Sequence, residues 1–79
     1  MNVIKLRSLY TGDIYINVDN IDVFFRSEEN STHITKIYTS GSGIPFLVYD
    51  SIQEILDKID EVAGVTINSD DEERDKSND

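Results

Sequence analysis

The chain has 79 residues, no cysteine, one proline and a formal net charge of −9, from 16 acids against 7 bases. That length bounds it to one domain, which buries only about 60% of its unfolded surface. Without cysteine it forms neither disulfides nor thiolate metal sites, and no apolar run reaches the ~20 residues of a membrane span.

The opening Met1-Asn2-Val3-Ile4-Lys5 lacks the apolar run of a signal peptide, so a cytoplasmic location is expected. From Val3 to Tyr49 the dominant period is two. Ile4 and Leu6 alternate with Lys5 and Arg7. Ile14, Ile16 and Val18 alternate with Asp13, Tyr15 and Asn17, and Ile21, Val23 and Phe25 with Asp22, Phe24 and Arg26. Such alternation predicts antiparallel strands with one covered face. Turn residues separate the runs: Gly12 in Tyr10–Asp13, then Asp19-Asn20, then a loop over Ser27–Ser31, then Ser40-Gly41-Ser42-Gly43. In the fourth strand, Thr32 to Thr39, Ile34 and Ile37 are out of phase, which a bulge would reconcile. The fifth, Ile44 to Tyr49, carries Pro45. Proline has no N–H to donate, so it belongs at a strand entrance or a free edge.

The period then changes. Ile52, Ile55, Leu56, Ile59 and Val62 form an apolar helical stripe. Ser51 and Glu54 make a capping box, Glu54 and Lys58 an i,i+4 pair, and Gly64 suits the helix end. The last segment, 66–79, holds six acids, two bases and one large apolar residue, Ile67. It cannot offset its ordering entropy, so a disordered acidic tail is expected. The predicted architecture is therefore α+β. A single domain over 1–65 carries a four- or five-stranded antiparallel meander with one C-terminal helix packed across one face, and the tail follows.

Signals for catalysis are weak. The one histidine, His33, starts the fourth strand, with no spacing that suggests a triad. The glycine-rich 40–43 stretch lacks the lysine and following helix of a phosphate loop. Asp19, Asn20 and Asp22 crowd a turn but do not make an EF-hand. No enzyme activity, cofactor or metal is expected. A net charge of −9 disfavours direct nucleic-acid binding. A protein partner is expected instead, by one of two surfaces. The alternation puts Lys5, Arg7, Tyr15, Phe24 and Arg26 on the sheet face away from the helix, and aromatics beside arginine are typical of interface hot spots. That face would also suit self-association into a homo-oligomer. The alternative surface is acidic: Asp50, Glu54, Asp57, Asp60 and Glu61, with Asp70, Asp71, Glu72 and Glu73 in the tail, could mimic nucleic-acid phosphates toward a basic site.

Val3-Ile4-Lys5-Leu6, Gly12 and Tyr15-Ile16-Asn17-Val18-Asp19-Asn20-Ile21-Asp22, followed by Val48-Tyr49-Asp50-Ser51 and Ile55-Leu56-Asp57-Lys58-Ile59, resemble the small flagellar FlbD-type family. Related small proteins occur in phages and mobile elements of Gram-positive bacteria. The resemblance covers about residues 3–60. It implies a small non-catalytic regulator or accessory protein: a phage-type accessory or inhibitor acting on a host protein, or a flagellar regulator. Tyr10-Thr11, the long Ser27–Ser31 loop and the acidic tail depart from the family pattern.

Overall fold

The computed structural model describes residues 2–64. The acidic segment 66–79, with Asp70, Asp71, Glu72 and Glu73, lies outside the described residues. Five strands form one antiparallel sheet: β1 (Val3–Ser8), β2 (Gly12–Asn17), β3 (Ile21–Glu29), β4 (Thr32–Thr39) and β5 (Phe46–Val48). A short 3-10 turn, Val18–Asn20, joins β2 to β3, and the helix α1 (Ile52–Ala63) follows β5. No helix among the described residues is long and apolar enough to cross a membrane.

The strand order is β2-β1-β5-β4-β3. It departs from a simple meander in one place: β2 and β3 are not neighbours, and β5 closes back onto β1. The Pro45 end of the last strand therefore offers no free edge. Pro45 stands just before β5, where its missing N–H costs no ladder bond.

Residues paired across a ladder share a face, so the register fixes the core. Ile4 pairs with Ile16 and Leu6 with Ile14. Ser8 pairs with Val48, Val48 with Thr35, and Ile37 with Phe24. On this face Ile4, Leu6, Ile16, Ile37 and Val48 bury with Ile55 of the helix, and Ile14, Val18, Ile21, Phe24 and Ile59 pack against them. Full burial of each such side chain contributes about 1.5–3 kcal/mol. Ile34, out of phase with Ile37, is also fully buried but outside this cluster.

Two local features differ from the periodic reading. The register shift lies in β3, between Ile21 and Val23, and not in β4. One extra residue there flips every side chain that follows. Phe24 turns into the core, while Val23 and Phe25 turn out. The connection after β3 is a tight two-residue turn, not a five-residue loop: β3 runs to Glu29, and Asn30 and Ser31 both take positive φ (50° and 67°). Positive φ at both central positions is the type I′ signature, whose twist matches that of the strands it joins.

The helix begins as its sequence predicts. The Ser51 hydroxyl accepts from the Glu54 N–H (3.1 Å), and the Glu54 carboxylate accepts from the Ser51 N–H (2.7 Å). Gly64 ends it at φ 68°. The Glu54–Lys58 pair does not form, because both partners are engaged elsewhere: Glu54 in the cap, Lys58 on Asp50.

Candidate functional site

β5 is three residues long and stops short of its neighbours, which leaves backbone groups on that side of β1 without a strand partner. Asp50 and Lys58 supply two of them. The Arg7 N–H donates to the Asp50 carboxylate (2.8 Å), and the Lys58 ammonium donates to the Lys5 carbonyl (2.6 Å). Lys58 also pairs with the other Asp50 oxygen at 3.0 Å. The Asp50 carbonyl accepts from the Thr35 hydroxyl (2.6 Å) and from Arg26 (3.3 Å), which also donates to Thr35. Asp50 thus ties β1, β3, β4 and α1 together. Burial pushes its carboxyl pKa up, but the Arg7 N–H and the Lys58 ammonium outweigh this and hold it below the ordinary value.

This arrangement corrects two expectations. Asp50 is buried and satisfied, so it is not part of an exposed acidic surface. Arg26 shares its face with Thr35 and Phe24 on the core side of the sheet, not the outer side, because the β3 bulge reverses both residues. On the helix, Glu54, Asp57 and Glu61 are exposed and Asp60 is half-buried; Glu54 serves the cap and Asp57 accepts from Gln53 (2.9 Å).

The outer face keeps Lys5, Arg7 and Tyr15 from the predicted set, with Lys5 paired to Tyr15 and Arg7 to Asp13. Four further side chains join them. Tyr49 continues the line of β5, its N–H donating to the Arg7 carbonyl (2.9 Å), and the Arg7 guanidinium sits 5.8 Å from its ring centre. Such a cation–π contact contributes about 0.5–1 kcal/mol at an exposed site. Lys36 pairs with Leu47 on one side and Phe25 on the other. Phe25 stacks on Tyr38, centroids 6.1 Å apart and planes 17° off parallel. Tyr15 is 68% exposed, Val23 50% and Phe25 43%, so this face presents apolar area to solvent. Lys36 meets Glu29 at 3.6 Å. A groove of about 410 Å³ adjoins the face through Lys36 and Leu47 and is lined beyond them by Tyr10, Ile44, Pro45 and Phe46.

Sequence reasoning missed Phe25, Tyr38, Tyr49 and Lys36. A bulge at Asp22 would have exposed Phe25, but a one-residue insertion leaves no mark in the alternation of a strand with apolar residues at 21, 23, 24 and 25. His33 is exposed on β4, opposite Glu28. Among the described residues no three or more His, Asp or Glu side chains gather to hold a metal ion. Comparison with family models, curated proteins and solved structures finds no match.

Proposed function

We propose that the protein is a non-catalytic binding module that engages another protein through its outer sheet face. The observation that carries this reading is the band of aromatic and basic side chains set across the strands of one sheet, with Tyr15, Lys5, Arg7, Tyr49 and Phe25 exposed and Lys36 half-buried among them. Aromatic and arginine side chains that bury large area at low entropic cost dominate protein interfaces. Two cross-strand contacts already hold rings in place, Arg7 on Tyr49 and Phe25 on Tyr38, which lowers the ordering cost on binding. A phage-type accessory or inhibitory role toward a host protein is the concrete form of this reading, and the resemblance over residues 3–60 supports it.

The test is affinity capture from host lysate with the full chain. Phe25→Ser with Tyr49→Ser removes two exposed rings and is expected to abolish capture. Asp57→Lys with Glu61→Lys, on the exposed side of α1, is expected to leave it intact. The opposite pattern would transfer the interface to the acidic helix.

A further inference from the structure

The two edges of the sheet are not equivalent. β3 carries the bulge between Ile21 and Val23 and the exposed charges Asp22, Arg26 and Glu28, devices that discourage pairing with another strand. β2 is six residues long, pairs with β1 without a register shift, and has no proline or lysine. Its bonding direction follows from β1. The Arg7 N–H and C=O point toward the β5 side, to Asp50 and Tyr49, and the Asn2 carbonyl toward β2, to Val18. Even-numbered residues of β1 and β2 therefore bond each other. The backbone groups of Asp13, Tyr15 and Asn17 face away from the sheet.

That edge is also self-complementary. Asp13-Ile14-Tyr15-Ile16-Asn17 reads the same in chemical type in both directions about Tyr15: polar, isoleucine, tyrosine, isoleucine, polar. We infer that β2 pairs antiparallel with β2 of a second copy of this chain, on a two-fold axis through Tyr15, and joins two five-stranded sheets into one. Tyr15 then faces Tyr15 of the second copy, and Asp13 faces Asn17 twice. Each of these pairs exchanges two backbone hydrogen bonds. The Asn17 oxygen accepts from the Asp19 N–H (3.0 Å), which leaves the Asn17 amide N–H groups to donate to the carboxylate opposite. Ile14 and Ile16, on the core side, meet across the junction and lengthen the apolar layer. Shifting the register so that Asp13 faces its own copy sets carboxylate against carboxylate, which the sequence penalises. Such isologous pairing is the usual route to a closed dimer.

The experiment is sedimentation equilibrium of the full chain over a range of concentrations. A mass of twice 9.0 kDa is expected at micromolar loading. Asn17→Asp keeps a side chain that caps the 3-10 turn but sets two carboxylate pairs face to face, and is expected to weaken the dimer roughly tenfold. Adding Asp13→Lys to that variant restores opposite charges and is expected to recover it. Tyr15→Pro removes the outward N–H at the centre without touching a bond to β1, and is expected to give monomer. Circular dichroism confirms folding of each variant. A wild-type monomer at every concentration, or a dimer indifferent to Asn17→Asp and Tyr15→Pro, overturns the inference. Neither result bears on the outer-face reading, which the Phe25 and Tyr49 variants test.

Discussion

Asp50 is the residue on which most of the fold converges. Replacing it with alanine leaves the Arg7 N–H without its acceptor and takes the carboxylate from the Lys58 ammonium, which keeps the Lys5 carbonyl, and is expected to cost about 2 kcal/mol in urea unfolding. Its titration has a definite sign. The folded-state pKa lies below the ordinary 3.8, so the unfolded chain takes up the proton first as pH falls. The stabilisation is complete above pH 3.8 and is lost as pH drops through the lower folded value. Urea midpoints measured from about pH 7 to about pH 2.5 should fall in that acid window, and the fall should shrink in Asp50→Asn. None of this was legible in the sequence. Asp50 reads as one more acid before a helix cap, because its partners Arg7, Thr35 and Lys58 lie far apart in the chain.

At the level of elements, local chemistry carried the prediction wherever it acts over a few residues. The Ser51–Glu54 capping box, the Gly64 terminus and the Gly12 turn at φ 78° all form as read. The Asn30-Ser31 turn reads as part of a longer loop in the sequence, because serine seldom takes positive φ. Ser31 holds φ 67° against steric resistance. Ser31→Gly relieves this and is expected to stabilise the hairpin by about 0.5 kcal/mol, since glycine's greater unfolded entropy offsets part of the gain. Thermal unfolding of the pair measures it. The β3 bulge was the costlier miss: it moved Phe24 and Arg26 to the core side and brought Phe25 out beside Tyr38. Alternation reports that a strand has two faces, but with aromatics adjacent at 24 and 25 it cannot say which of the two goes in.

Over the whole molecule, one antiparallel sheet with one helix across it was readable from the change of period at Ser51. The strand order was not, since β5 reaches β1 through contacts more than 35 residues apart in sequence, such as Tyr49 N–H to the Arg7 carbonyl. That closure builds the outer face, because it sets Arg7 of β1 beside Tyr49 at the end of β5. The most direct test of that face is an amide-resolved NMR footprint of the full chain with its captured protein. The largest shifts are expected on Lys5, Arg7, Tyr15, Phe25, Tyr38 and Tyr49. Shifts confined to Glu54, Asp57 and Glu61 on the helix would contradict it.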